Sequence, residues 1–143
     1  MTKLENFKMQ HLIEFDSLSG YDMWSIMEFN LSRKDQAFLS LIKDDKVYAI
    51  FGLVEIRRGV VELGVFRGKY YESVMYEFSR ATKNLIYQNL AKNYVRAEVY
   101  IDMEWQGADK WASFLGLTED GICYNYDVTR KPHKRYYVLL GED

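Results

Sequence analysis

The succession of residue patterns along this chain predicts a mixed α/β sandwich with elements in the order β-α-β-β-β-α-β-α-β-β. Three observations carry the prediction. The apolar run Lys46 to Ile56 turns at Arg57-Arg58-Gly59 and returns as Val60–Phe66, which is the pattern of a hairpin. An amphipathic stretch from Glu72 to Ala91 then leads into a second alternating run, Tyr94 to Ile101, and a strand, helix and strand in that order form a crossover. No linker, repeat or low-complexity tract interrupts the 143 residues, so one domain spanning 1–143 is expected.

Each element has a local reason. Phe7 to Phe15 reads as a first strand, because Phe7, Met9, His11, Ile13 and Phe15 alternate with Lys8, Gln10, Leu12 and Glu14. Asp16 to Gly20 supplies turn and cap residues, and Tyr21 to Leu31 then predicts a short amphipathic helix with Trp24 in the core. Ala37 to Ile42 forms the next strand, and Asp44-Asp45 makes a tight connection into Lys46–Ile56. The uninterrupted apolar character of that run predicts burial on both faces and a central place in the sheet. Gly59 stands where a three-residue hairpin loop wants a left-handed residue.

In the long helix Val74, Phe78, Ala81 and Leu85 recur at intervals of four, three and four, with Glu77, Arg80, Lys83 and Gln88 on the opposite face. Tyr94 to Ile101 alternates Val95, Ala97, Val99 and Ile101 against Tyr94, Arg96, Glu98 and Tyr100, which suits a half-exposed or rim strand. Ala108 to Leu115 predicts a second helix, with Trp111 and Leu115 on one side and Gly116 ending it. Thr118-Glu119-Asp120-Gly121 reads as a turn into a strand over Ile122–Val128. Thr129–Lys134 reads as a polar loop and Arg135–Leu140 as the closing strand.

Composition excludes several function classes. A hydrophobic share of 48 % with 28 % charged residues describes an ordinary globular chain rather than a disordered one. A formal charge of −2 gives no global attraction to nucleic acid or anionic lipid, and the basic run Arg130-Lys131-Pro132-His133-Lys134-Arg135 reads as a solvated hairpin. A lone Cys123 and two scattered histidines make neither an intrachain disulfide nor a zinc set, so no metal is expected. The N-terminus lacks a signal-peptide pattern and no run of about 18 apolar residues occurs, so a reducing cytoplasm and no membrane partner are expected. Twelve tyrosines suit half-buried strands, a wet cleft or a subunit interface, and are compatible with a homodimer.

Two local sequences, taken with the element order, resemble the GNAT superfamily of N-acetyltransferases over roughly Ala37 to Leu140. Val65-Phe66-Arg67-Gly68-Lys69 resembles the entry to that family's acetyl-CoA loop. Trp111-Ala112-Ser113-Phe114-Leu115-Gly116-Leu117, with Gly121, resembles its late helix and the glycine hairpin after it. Within the superfamily the chain is most similar to small GNAT-like proteins of tailed phages, some of them internal virion or morphogenesis proteins. Ile50-Phe51-Gly52-Leu53-Val54, followed by the hairpin, suggests that branch. The resemblance implies a mixed, mostly antiparallel sheet flanked by helices, acetyl-CoA as cofactor, and an amine-bearing substrate or a host or phage protein as partner. Host cytoplasm or a virion is the implied location.

It also implies site residues. Val65, Phe66, Arg67, Gly68, Lys69 and Ser73 would hold acetyl-CoA, because successive N–H groups at a helix start converge on a diphosphate. Tyr70 and Glu72 stand at places where the family has glycine, and Glu72 with Ser73 also reads as a cap. Acetyl transfer requires an amine to lose a proton and a thiolate to gain one. Glu62 resembles the family's glutamate base. Glu55 would share its face if the turn were the two residues Arg58-Gly59, and would lie on the opposite face if the turn had three. The family's acid tyrosine falls at Ala112, leaving Tyr124 or Tyr126 on the following strand as substitutes, Tyr124 foremost. Two functions follow: an acetyl-CoA-dependent N-acetyltransferase, or a non-catalytic virion, assembly or interaction protein on the same fold.

Overall fold

A computed structural model of the protein describes residues 2–8, 10, 11, 15, 36–126 and 130–141. Seven strands form one sheet: β1 Lys3–Asn6, β2 Gln36–Lys43, β3 Lys46–Arg57, β4 Val60–Arg67, β5 Arg96–Asp102, β6 Thr118–Cys123 and β7 His133–Leu139, arranged in the order β1-β2-β3-β4-β5-β7-β6. Every neighbouring pair is antiparallel except β4 and β5, which run parallel. The parallel pair is the product of the crossover, whose helix α1 spans Met75–Asn84. The second helix, α2, spans Ala108–Leu115 and joins β5 to β6. Among the described residues no helix is long and apolar enough to cross a membrane.

The two hairpins are set by backbone conformations that few residues adopt. Asp44 and Asp45 both have positive φ, as the tightest two-residue turn between β2 and β3 requires. Gly59 has φ +81° in the turn from β3 to β4. That turn is two residues long, but a bulge at Ile56 follows it at once, so Glu62 pairs with Val54 and Glu55 pairs with Val61. The single extra residue sends Glu55 to the face opposite Glu62, the outcome a three-residue turn would give. The Glu55 carboxylate instead accepts the Gly59 N–H at 3.3 Å.

The main core lies between α1, α2 and one sheet face. Leu41, Phe51, Val61, Leu63, Ala97 and Val99 from the strands meet Phe78, Leu85, Ile86, Trp111 and Leu115 from the helices. Phe78 stacks with Phe51 at 6.0 Å and with the nearly parallel ring of Trp111 at 5.2 Å. A smaller cluster of Phe15, Phe38 and Ile50, with Phe66 against it, covers part of the opposite face. The helical stretch changes type along its length. It opens with a 3-10 turn over Tyr71–Val74, runs as α1, and closes through a π turn over Leu85–Asn89. The π turn adds one residue to the spacing, so that buried Leu90 and not exposed Asn89 follows Leu85 and Ile86 into the core. α2 ends where Gly116 takes φ +76° and the Leu117 N–H bonds back to the Ala112 carbonyl at 2.9 Å.

Three expectations need correction. The first strand is Lys3–Asn6, not Phe7–Phe15, and Gln10 and His11 are helical. The Lys8 N–H donates to His11 Nδ1 at 3.0 Å, and the same nitrogen is 2.9 Å from Ser40 Oγ, so a side chain closes a turn that the alternating pattern concealed. β5, expected as a half-exposed or rim strand, lies inside the sheet between β4 and β7, and its Glu98 is buried under ion pairs. β6 begins at Thr118 and ends at Cys123. Gly121, with φ +105°, accommodates a bulge inside the strand rather than a turn before it. The helix expected over Tyr21 to Leu31 lies outside the described residues.

Because Phe78 is fully buried between two aromatic rings, Phe78→Ala is expected to cost about 3–5 kcal/mol of stability in urea unfolding, with the slope of the transition unchanged.

Candidate active site

The parallel ladder between β4 and β5 is short. Its rungs are Val60↔Arg96, Val61↔Ala97, Glu62↔Glu98 and Leu63↔Val99, and there it stops. β4 nevertheless continues to Arg67 and β5 to Asp102. Beyond Leu63 and Val99 the two strands part, and the edges that face each other lack ladder partners from Gly64 and Tyr100 onward. On its far side β4 stays paired to β3 as far as Arg67, so the gap lies within the sheet and is rigidly walled. Unpaired peptide groups inside a sheet are an obligatory demand on some other donor or acceptor.

On the face away from the helices, the rung before the gap carries two carboxylates side by side, Glu62 and Glu98. Their environments differ. Glu98 is 5 % exposed and held by two guanidinium groups, Arg96 Nε at 2.9 Å and Arg57 Nη2 at 3.2 Å. Arg96 is itself fixed over the Tyr137 ring at 4.3 Å and reaches Asp120 at 3.4 Å. Glu62 is half-buried, and among the described residues no hydrogen bond or ion pair reaches it. Burial pushes its carboxyl above the usual carboxylate range, and the negative charge of Glu98 adds to the effect. One carboxylate is locked by cations, and its neighbour is left with an affinity for protons.

Tyr100 follows Glu98 by two on the same face and borders the gap directly. Burial raises its phenol above the ordinary range. A hydrogen bond from Arg135 opposes the shift, and the charges of Glu98 and Glu62 reinforce it. The Tyr126 ring lies 5.0 Å from Tyr100 and 4.1 Å from His133. Tyr124 is 74 % exposed in the turn that follows β6. Of the tyrosines available, Tyr100 is thus the one that the fold sets beside Glu62. Sequence reading passed over it, although Glu98 and Tyr100 occupy one alternating face of a strand joined to Glu62 by the crossover.

The loop after β4 departs from a diphosphate cradle. The Gly68 N–H donates to the Tyr48 carbonyl at 2.9 Å, and those of Tyr71 and Ser73 donate to the Gly68 and Tyr70 carbonyls, both at 3.1 Å. Ser73 Oγ also donates to the Tyr70 carbonyl, at 2.8 Å. Gly68 is needed for close approach rather than for a ligand, because a Cβ there would meet the Tyr48 oxygen at 2.8 Å. Arg67 is 9 % exposed and turned inward, its guanidinium 4.2 Å over the Trp105 ring and bonded to the Tyr71 hydroxyl at 3.1 Å. Val65 packs into the main core and Phe66 into the smaller cluster. Lys69 and Tyr70 are exposed, and Glu72 adds a negative charge to the first turn. The N–H groups of Gly68 and Ser73 and the guanidinium of Arg67 are thus engaged within the fold, an arrangement that offers a diphosphate little.

A groove of about 990 Å³ opens beside this loop, between the start of α1, the segment after β5 and the start of α2. Its aromatic wall is Tyr71, Tyr76, Trp105, Trp111 and Phe114. Trp111 is 3 % exposed and among the described residues its indole Nε1 has no hydrogen-bond partner. An orphaned buried donor of this kind costs about 1–3 kcal/mol.

The seven-stranded order, the crossover into a parallel pair and the parting of that pair define the fold of the GNAT acetyltransferases. The spermidine/spermine N-acetyltransferase SpeG from Vibrio cholerae is similar with a TM-score of 0.65 and 12 % identity, over 96 % of this chain and 92 % of that one. A probable acetyltransferase of the GNAT family from Chromobacterium violaceum ATCC 12472 is similar with a TM-score of 0.66 and 16 % identity, over 80 % of this chain and 64 % of that one. No family model and no curated protein matches the sequence.

The raised carboxyl of Glu62 has a thermodynamic signature. A carboxyl whose folded pKa lies above its unfolded value favours the folded state below the ordinary pKa of 4.5, and that contribution is lost as pH rises through the folded value. Glu62→Gln is therefore expected to raise the melting temperature at pH 7, with the gain vanishing below pH 4.5 in a differential scanning fluorimetry series.

Proposed function

We propose that the protein moves an acetyl group from a thioester to an amine, with Glu62 as the base and Tyr100 as the proton donor. The observation that supports this reading is the half-buried Glu62 carboxylate, without a hydrogen-bond or ion-pair partner among the described residues, on the rung before β4 and β5 part. The gap beyond that rung offers ladder-free peptide groups to an extended arm, as an added strand would use them. The amine nitrogen attacks the thioester carbonyl, and Glu62 takes the proton that the nitrogen must give up. The C–S bond then breaks and the sulfur receives the Tyr100 proton, after which Glu62 returns one proton to the phenolate. The products are an amide and a free thiol, with both side chains restored.

A base with a raised pKa suits this step, because a carboxylate of ordinary acidity binds the amine proton too weakly at neutral pH. Acetyl-CoA is the donor that the GNAT fold suggests. The loop over 67–73 contributes little to its diphosphate, and recognition rests on the gap. A basic small molecule or a protein amine reaches the open face beside Glu62, where Glu98 is neutralised by its arginines. Cytoplasm, or host cytoplasm and virion for a phage-encoded chain, is the compartment in which such a reaction would run.

With a panel of amines and acetyl-CoA, released thiol reports turnover. Glu62→Gln is expected to lower kcat by about a hundredfold with little change in KM for the donor, and Tyr100→Phe by about tenfold. Tyr124→Phe should leave the rate unchanged. A wild-type rate in Glu62→Gln would remove Glu62 from the chemistry. No thiol release from the wild type with any amine would favour the non-catalytic virion or assembly role instead.

A further inference from the structure

We infer that the amine acceptor carries a carboxylate a few bonds from its nitrogen, as an amino acid does, and that Arg57 binds it; the inference rests on the transferase reading above and narrows its substrate class. The first observation is a charge surplus on the open face. Arg57, Glu98, Arg96, Asp120 and Arg135 form one chain of ion pairs across β3, β5, β6 and β7, linked at 3.2, 2.9, 3.4 and 3.3 Å. Cation and anion alternate along it, with a guanidinium at each end. Three positive groups therefore meet two negative ones, and the chain holds one uncompensated positive charge. Glu62 adjoins it on the Glu98 rung and, when ionised, supplies the balancing charge. That balance is lost when Glu62 takes the amine proton, and an anionic group on the acceptor restores it.

The second observation is where donors and acceptors remain. Among the described residues, the strand carboxylates around Glu62 are committed: Glu98 to Arg57 and Arg96, Asp120 to Arg96 and Arg135, and Asp102 to the Glu104 N–H at 2.9 Å. A second ammonium on the acceptor would find none of them available to pair with. Arg57 is in the opposite state. It gives one N–H group to Glu98, its side chain is 61 % exposed, and its other donors meet no partner among the described residues. A guanidinium grips a carboxylate through two parallel N–H groups, which is the fit an amino acid offers. Arg58, exposed in the adjoining turn, adds positive charge at the same end, while Glu55 lies on the opposite face and accepts the Gly59 N–H. Because Arg57 reaches the carboxylate that shares a rung with Glu62, an anion bound to it lies a short chain away from the nitrogen that Glu62 serves.

Thiol release from acetyl-CoA by the full chain, with glycine, alanine and β-alanine each set against its own amide and against 1,4-diaminobutane, tests this. The amino acids should exceed their amides by at least about tenfold in kcat/KM. A free carboxylate keeps more of the nitrogen protonated at neutral pH, so that order cannot come from the supply of free amine. Arg57→Gln should bring the ratio of acid to amide to within about twofold of unity, and Arg57→Lys, which keeps the charge, should retain part of it. An arginine that served only the fold would lower both substrates alike and leave the ratio standing, so a ratio preserved in Arg57→Gln overturns the inference. Amides or the diamine turned over as fast as the amino acids would overturn it too, and leave the transferase reading intact. If no amine is acetylated, isothermal titration with N-acetylglycine and N-acetylglycinamide decides. Binding of the acid alone, lost in Arg57→Gln, keeps Arg57 as a carboxylate site while the transferase reading falls, and equal or absent binding of the two removes both.

Discussion

Four parallel rungs between β4 and β5 determine most of what is distinctive here. They hold the two halves of the sheet together, and their early end leaves a gap at the centre rather than at an edge. The crossover helix enforces the parallel direction, and the packing of Phe78 against Phe51 and Trp111 fixes that helix to β3 and to α2. The last polar rung then places Glu62 and Glu98 at the mouth of the gap. Had the ladder run the full length of both strands, the same side chains would form an ordinary sheet surface.

Electrostatics turns that position into a chemical asymmetry. Two guanidinium groups satisfy Glu98, at the usual desolvation cost of a buried charge, which a pair of close hydrogen-bonded partners offsets. Glu62 has the burial without such partners among the described residues, and a carboxyl in that state binds protons more readily. Tyr100, on the same face two residues after Glu98, has its phenol raised by burial and by the charges of Glu98 and Glu62. The helix side is different in character. There Arg67, Trp105 and Tyr71 form a cation and aromatic unit, and the amides of Gly68, Tyr71 and Ser73 donate to the carbonyls of Tyr48, Gly68 and Tyr70.

Much of the fold could be read directly from residue order. The hairpin at Gly59, the central strand, the crossover and the helix ending at Gly116 all depend on local rules, namely positive φ, continuous apolar runs and helical spacing. Errors arose where a side chain overrode the local pattern. His11 closing on the Lys8 amide ended a strand that alternation would have prolonged, and Glu98 was buried by arginines distant in sequence. Glu62 was legible from its position before the turn, and its separation from Glu55 hinged on one bulged residue that no composition rule reveals. Tyr100, the inward Arg67 and the orphaned indole of Trp111 depend on contacts between distant segments, so a reading of one residue after another does not find them.

The location of the site is open to direct observation by amide NMR. On addition of acetyl-CoA, the largest shift changes should fall on the parted strands, at Gly64 to Phe66 and at Tyr100 and Ile101. Changes confined to the groove between β1 and α1, or spread evenly with none at the gap, would contradict the assignment of this opening as the place where the thioester enters.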